Sequence, residues 1–77
     1  EFPEEKARYF KHLEEKNYKL TAEDVHKLKH KISILGLEAS YYLAENYENE
    51  LLENELSKKN EFEEVLQSMQ NFIDELK

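Results

Sequence analysis

The sequence predicts an all-α protein, an antiparallel up-down-up-down four-helix bundle that occupies residues 1–77 as a single domain. The 77 residues include one glycine, one proline and no cysteine, so helix-breaking residues are scarce and a disulfide framework is excluded. Apolar residues recur three and four positions apart, which places them on one face of a helix. The polar breaks between these segments are short, as in bundles of neighbouring antiparallel helices.

The first helix is predicted over residues 3–16. Pro3 suits the first turn of a helix, and Glu4 and Glu5 favour its positive end. Three residues at helical spacing supply its apolar face: Ala7, Phe10 and Leu13. Because this helix is short and weakly apolar, a helical hairpin that completes its core by dimerising is an alternative architecture.

The second helix is predicted over residues 20–35. Thr21 suits the N-cap, with Glu23 and Asp24 as an acidic first turn, although Lys19 and Leu20 could also belong to this helix. Gly36 is the only glycine of the chain, and it is the predicted C-terminal stop of this helix. A single apolar seam runs along the helix at steps of three, four and three residues: Val25, Leu28, Ile32 and Leu35.

The third and fourth helices are predicted over residues 37–57 and 60–76. Tyr41 and Tyr42 are adjacent, so they cannot both point into the core, and one of them contacts solvent or a partner. Asn60 followed by Glu63 resembles a capping box at the start of the fourth helix. The fourth helix has the most continuous apolar stripe of the chain: Phe62, Val65, Leu66, Met69, Phe72, Ile73 and Leu76.

Composition and charge narrow the classes of function. Eighteen acidic residues against eleven basic ones give a net charge of −7, which opposes general attraction to nucleic acid or to anionic lipid. No apolar run approaches the roughly 20 residues that span a bilayer, and the first residues lack the basic region of a signal peptide. Gly-rich phosphate loops, cysteine ligand sets and nucleophile elbows are missing. We therefore expect a cytoplasmic protein whose partner is another protein.

The second helix carries the candidate chemistry. A helix turns by about 100° per residue, which places His26 and His30 on the solvent side, away from the apolar seam. Lys27, Lys29 and Lys31 alternate with them, so this side forms a basic patch that suits an anion. A neutral imidazole can accept a phosphoryl group, and lysine charge can stabilise the phosphate oxygens. The alternative is an ordinary solvated helix face.

Residues 26–36, with the sequence HKLKHKISILG, resemble the signature of the histidine-containing phosphotransfer (HPt) domain. That signature is His, any residue, Leu, Lys and Gly, with a second Gly ten positions after the His. His26, Leu28, Lys29 and Gly36 match four of these places. His30 occupies the place where the family has its first glycine. The similarity spans residues 19 to about 50, and outside this range it consists of the helix pattern alone.

The resemblance implies a four-helix bundle that accepts a phosphoryl group from a receiver-domain aspartate and passes it on, below a histidine kinase or hybrid kinase. It implies that His26 is the phosphoacceptor, that Lys29 stabilises the phosphoryl group, and that Gly36 is structural. Such a domain has no turnover and needs no cofactor or metal, since the Mg²⁺ belongs to the receiver. A bulky residue at position 30 would narrow access for the receiver or alter partner choice. The implied docking residues are Lys27, Lys29, His30 and Ser33.

Other interpretations of the same residues stay open. The chain could be a helical protein–protein interaction module, as a monomer or a dimer, without histidine chemistry. His26 and His30 have the spacing of a metal-ligand pair with Glu23 as a third ligand, although the flanking lysines repel a dication. His12 could approach this face from the first helix, or it could be a surface histidine. Five acidic residues of the third helix fit a solvated face: Glu45, Glu48, Glu50, Glu53 and Glu55.

Overall fold

The computed structural model describes residues 2–75, which form four α-helices without any strand in that range. The helices are α1 (Phe2–Glu14), α2 (Tyr18–Ile34), α3 (Glu38–Leu52) and α4 (Lys59–Glu75). The predicted all-α class and the number of helices are therefore confirmed. Leu76, the predicted end of the fourth helix, lies outside the described residues. Within them, no helix combines the length and the apolar character that a membrane span requires.

The core forms around α2, which packs against both α1 and α3, while α4 packs against α3. The predicted seam of α2 is fully buried at Val25, Leu28 and Ile32. The prediction is wrong for Leu35, which is the C-cap of α2 and is exposed, because the helix ends before this turn reaches the core. Phe72 of α4 was also predicted to be in the core, but it is half exposed.

The apolar face predicted for α1 is partly wrong. The buried residues of this helix are Phe2 and Tyr9, seven positions and about two turns apart. Ala7 and Phe10 are exposed, and Leu13 packs at the edge of the core. Tyrosine has a polar end, so a count of apolar spacing does not select it as a core residue unless its hydroxyl has a buried partner.

Tyr9 finds such partners in an aromatic cluster with Tyr47 and Phe62. Ring centroids lie 5.4 Å apart for Tyr9 and Phe62 and 5.1 Å apart for Tyr47 and Phe62, in the angled geometries that aromatic pairs prefer. The Tyr9 and Tyr47 hydroxyl oxygens are 2.8 Å apart, and the Tyr9 hydroxyl also donates to the Glu63 carboxylate at 3.3 Å. The cluster therefore joins α1, α3 and α4 through a core whose polar atoms are satisfied.

The junction between α1 and α2 differs from the prediction. α2 begins at Tyr18, and its N-cap is Asn17, whose side chain accepts a hydrogen bond from the Leu20 N–H at 3.4 Å. Thr21 is not a cap: it is buried inside α2, and its hydroxyl donates to the Asn17 carbonyl at 2.9 Å. α1 ends at Glu14 rather than at residue 16, because position 16 leaves the helical conformation.

The predicted stop at Gly36 is confirmed. The Gly36 N–H donates to the Ser33 carbonyl at 3.0 Å, and the Leu37 N–H donates to the Ile32 carbonyl at 3.3 Å, which is the Schellman arrangement of a helix C-terminus. It requires a left-handed residue two positions after the last helical one. Within residues 2–75, three helices have such a residue, with a φ of 59°, 75° and 62° in turn: Lys16, Gly36 and Asn54.

α3 ends at Leu52, five residues before its predicted end at residue 57. Asn54 takes the left-handed conformation, and the Glu55 N–H donates to the Glu50 carbonyl at 2.8 Å. Asparagine tolerates this conformation better than most residues. The leucine pattern that continues to Leu56 favoured a longer helix, but the backbone turns before reaching it.

The predicted capping box of α4 is wrong. The helix begins at Lys59, so Asn60 lies inside its first turn rather than before it. The Glu63 carboxylate, which a capping box would direct back to the helix start, instead binds the Lys59 ammonium at 3.1 Å and the Tyr9 hydroxyl. Glu63 therefore connects α4 to the core.

Exchanging residues at two of the left-handed positions should change stability in opposite directions. Gly36→Ala should lower the free energy of unfolding by about 1 kcal/mol, because a Cβ is disfavoured at positive φ. Apart from Gly36 itself and its two chain neighbours, no described residue has a heavy atom within 4 Å of that added Cβ, so the cost comes from the backbone alone. Lys16→Gly should raise the free energy of unfolding by about 0.5–1 kcal/mol for the same reason. Urea unfolding of the two variants and the wild type measures both shifts; equal signs would contradict this explanation.

The sequence allowed His12 to be a surface histidine, and this alternative is wrong. Its Nδ1 atom forms a hydrogen bond with the carboxylate of Asp24, and the His12 side chain is mostly buried. Asp24 itself is buried, so this contact ties α1 to α2 and satisfies a carboxylate that would otherwise be costly to bury. The predicted acidic first turn is therefore wrong for Asp24, which lies in the interior and contacts α1.

Candidate functional site

Two histidines of α2 lie side by side on its exposed face. His26 and His30 are one helical turn apart, and half of the His26 side-chain surface is accessible. Their Nε2 atoms are 3.3 Å apart, and their rings are perpendicular with centroids separated by 4.8 Å. The prediction that both histidines face solvent is confirmed, and the imidazoles additionally contact each other.

Glu48 of α3 completes the site from the other side. The His26 Nδ1 atom lies 3.3 Å from both carboxylate oxygens of Glu48. An ionised carboxylate can only accept hydrogen bonds, so the Nδ1 atom of His26 carries the proton. In the neutral imidazole the Nε2 atom then holds the free lone pair. This contact therefore leaves the outward nitrogen of His26 as a nucleophile.

The same carboxylate binds Lys29. The Lys29 ammonium lies 3.1 Å from Glu48 Oε1 and 5.5 Å from the centroid of the Tyr41 ring, where a cation is attracted to the aromatic face. Only 8% of Lys29 is exposed. Lys29 therefore lies on the Nδ1 side of His26 and shares the Glu48 carboxylate with it.

The predicted basic patch is smaller than the sequence suggested. The Lys31 ammonium is 3.2 Å from a carboxylate oxygen of Glu5 on α1, and the charge of Lys29 is matched by Glu48. Lys27 is exposed on the outer side of α2. Two of the three lysines thus pair with carboxylates of neighbouring helices, which counts of charge along one helix cannot reveal.

Ser33 and Tyr41 border the site toward the α2–α3 turn. Ser33 is exposed, and together with Gly36, Leu37 and Tyr41 it lines a shallow depression of about 250 Å³. Tyr41 is half-buried beneath Lys29, whereas Tyr42 is exposed. The prediction that one of the two tyrosines faces outward is therefore confirmed.

Glu48 is the site residue that sequence reasoning missed, since it was grouped with a solvated acidic face. Helices α2 and α3 fold back on each other across Gly36, so residues at similar distances from the turn lie opposite one another. His26 is ten residues before Gly36 and Glu48 is twelve residues after it. Counting outward from the predicted glycine stop would have suggested this pair, although the rotation of α3 requires the structure.

The metal-site alternative concerns the arrangement of His26, His30 and a third ligand. Residues 2–75 contain no group of three or more histidine or carboxylate side chains arranged to hold a metal ion. Glu23, the third ligand considered, is exposed, and the Glu48 carboxylate contacts the inner nitrogen of His26 rather than joining the two outer ones. The Nε2 atoms of the two histidines contact each other in this structure.

Comparisons with known proteins do not identify the chain. No family model matches it, and neither the curated proteins nor the solved structures include a match. The evidence on function therefore consists of the residues of the site and the short HPt-like stretch at residues 26–36.

Proposed function

We propose that this chain is an HPt domain of a two-component phosphorelay and that His26 is its phosphoacceptor. We also propose that its four helices form an antiparallel up-down-up-down bundle. The domain would carry a phosphoryl group between receiver-domain aspartates without turnover of its own. The observation that carries the proposal is the exposed imidazole of His26, with its inner nitrogen held by Glu48 and its outer nitrogen directed away from the core.

The transfer follows from the chemistry of the imidazole. The lone pair of His26 Nε2 attacks the phosphorus of an aspartyl phosphate on the receiver. A nitrogen–phosphorus bond forms, the acyl phosphate P–O bond breaks, and the aspartate carboxylate leaves with the electron pair. The His26 Nδ1 proton stays in place, and the Glu48 carboxylate offsets the positive charge that the ring acquires. Passing the group on is the reverse of this step.

The partner supplies the rest of the chemistry. The receiver would bring the Mg²⁺ and the acidic cluster, so this chain would need no cofactor or metal of its own. Docking would use the exposed side of α2 around Lys27, His30 and Ser33, with Lys29 contributing little area because it is nearly buried. The phosphoryl group would come from a histidine kinase or hybrid kinase through its receiver, in the cytoplasm. With a net charge of −7, we do not expect nucleic acid or membrane as the partner.

Labelling with phosphorylated receiver domains tests the proposal. The purified chain is mixed with a panel of receivers carrying ³²P and Mg²⁺, and the product is treated with acid and with base. We expect label on the chain that is lost in acid and retained in base, as a phosphoramidate bond requires. No transfer from any receiver would contradict the proposal.

Replacing Glu48 by Gln should slow the transfer, and circular dichroism verifies that the helices remain after Lys29 loses its counter-charge. Glutamine has a similar size, but it does not offer His26 a negative charge. A hydrogen bond to a charged group contributes about 1.5–3 kcal/mol, and the site is partly exposed, so we expect a loss of roughly tenfold in transfer rate. Glu23→Gln, an exposed carboxylate one turn before His26, is the matched control and should retain the rate. Equal rates for both variants would show that Glu48 does not act on His26.

A second candidate function is a protein–protein interaction module without histidine chemistry. It is favoured by an exposed apolar end of the molecule, where Ile34 is 83% exposed and adjoins Leu35, Leu37 and Phe72. Two cavities of about 260 and 240 Å³ open there, and apolar surface of this kind marks contact sites. A mass by light scattering that rises to the dimer with concentration, together with no phosphoryl label, would favour this function.

A further inference from the structure

We propose that His30 is a positioning residue that donates a hydrogen bond to the phosphoryl group carried by His26. This inference rests on the proposed function, and it assigns a binding role to the residue that departs from the HPt signature. In that signature position 30 is a glycine, which can donate nothing from a side chain.

The contacts fix the direction of the hydrogen bonds. Glu48 holds the proton of His26 on Nδ1, so Nε2 of the neutral imidazole is an acceptor. The His30 Nε2 atom lies 3.3 Å from it, and it must therefore be the donor of the pair. The order of donors runs from His30 to His26 and from His26 to Glu48. An N–H group thus already points at the atom that becomes bonded to phosphorus.

Lys29 cannot readily take this role. Its ammonium binds the Glu48 carboxylate at 3.1 Å and lies over Tyr41, so it is on the opposite side of the His26 ring from Nε2. It is also nearly buried, whereas His30 is exposed. Of the two side chains that contact His26 directly, only His30 lies on the Nε2 side.

The transfer step breaks the hydrogen bond between His30 and His26, and the His30 N–H becomes available to another acceptor. When His26 Nε2 forms its bond to phosphorus, the lone pair that accepted from His30 is used. The His30 N–H then donates to an oxygen of the phosphoryl group, while the leaving carboxylate remains on the receiver. Hydrogen bonds from a donor to an anionic oxygen are stronger than those between neutral groups, so the phosphorylated form should gain from His30.

The test separates the donor from the size of the side chain. His30→Phe keeps a ring without a donor, His30→Gln keeps an N–H donor, and His30→Gly restores the signature residue. Each chain is loaded from a phosphorylated receiver, separated from it, and followed for loss of phosphohistidine at neutral pH. We expect His30→Phe and His30→Gly to lose phosphate roughly tenfold faster than the wild type, and His30→Gln to stay close to it. The rate of loss is independent of how much each variant was loaded.

A second readout uses the unphosphorylated chain. In nitrogen-15 spectra of the imidazoles, His30→Phe should shift the Nε2 signal of His26, because the lone pair loses its donor, while the signals of His12 should stay in place. Loss of phosphate at the wild-type rate in His30→Phe would overturn the role of His30 and leave the proposed function intact. A wild-type chain that accepts no phosphoryl group would overturn both.

Discussion

His26→Gln should abolish phosphorylation of the chain completely while the four helices remain folded. Half of the His26 side-chain surface is accessible, and its polar contacts are to Glu48 and His30 at 3.3 Å, so its loss removes the nucleophile without opening the core. Glutamine is polar and helix-compatible, which preserves α2. The measurement is transfer of labelled phosphate from a phosphorylated receiver, with circular dichroism to verify the helix content.

The matched control is His12→Gln. This histidine lies on α1 and contacts Asp24, and glutamine retains a donor for the Asp24 carboxylate. We expect full labelling of His12→Gln under conditions in which His26→Gln shows none. Label retained in His26→Gln at the wild-type level would remove His26 from the phosphoacceptor role.

The second large effect is a loss of stability in alkali that is due to the core tyrosines. Burial raises the pKa of Tyr47 from 10.0 to about 12, and burial together with the Tyr47 hydroxyl raises the pKa of Tyr9 further. A phenol whose pKa is higher in the folded state stabilises the fold fully below pH 10, and this stabilisation is lost as the pH rises toward 12. For Tyr47 alone, the difference is about 3 kcal/mol. The free energy of unfolding should therefore fall steeply between pH 10 and 12.

The pH dependence can be assigned by removing one hydroxyl at a time. Tyr47→Phe should flatten the decline above pH 10, since a phenylalanine has no proton to lose. Tyr42→Phe is the control, because Tyr42 is exposed on the same helix; its profile should follow the wild type. Urea unfolding from pH 8 to 12 measures all three proteins, and parallel declines in all of them would show that the core tyrosines are not the cause.

The elements that could be predicted from the sequence are those determined by local chemistry. The seam at Val25, Leu28 and Ile32 identifies the buried face of α2, and the single glycine marks its end. The features that could not be predicted depend on an unfavourable backbone conformation or on contacts between residues far apart in the sequence. Lys16 adopts a left-handed conformation that lysine rarely takes, so the start of α2 was misplaced. Tyr9 is buried because a hydroxyl on another helix satisfies it.

In the candidate site, too, local spacing predicted some features, while others depend on contacts between helices. One helix carries His26 and His30, so helical spacing alone places them together on the exposed face. Glu48 and Lys29 depend on the rotation of α3 against α2, and spacing along one helix therefore missed the carboxylate and assigned the lysine to an exposed patch. The ammonium of Lys29 instead pairs with Glu48 and lies over the Tyr41 ring, so the side chain is nearly buried.

Direct observation of the bond between His26 and phosphorus tests the central claim. The chain, labelled with nitrogen-15 in its histidines, is mixed with a phosphorylated receiver domain and Mg²⁺, and the imidazole signals are recorded with phosphorus-31 coupling. We expect coupling at Nε2 of His26, with the proton retained at Nδ1 of the same ring and the signals of His12 unchanged. Coupling at a different histidine, or at Nδ1 of His26, would contradict it.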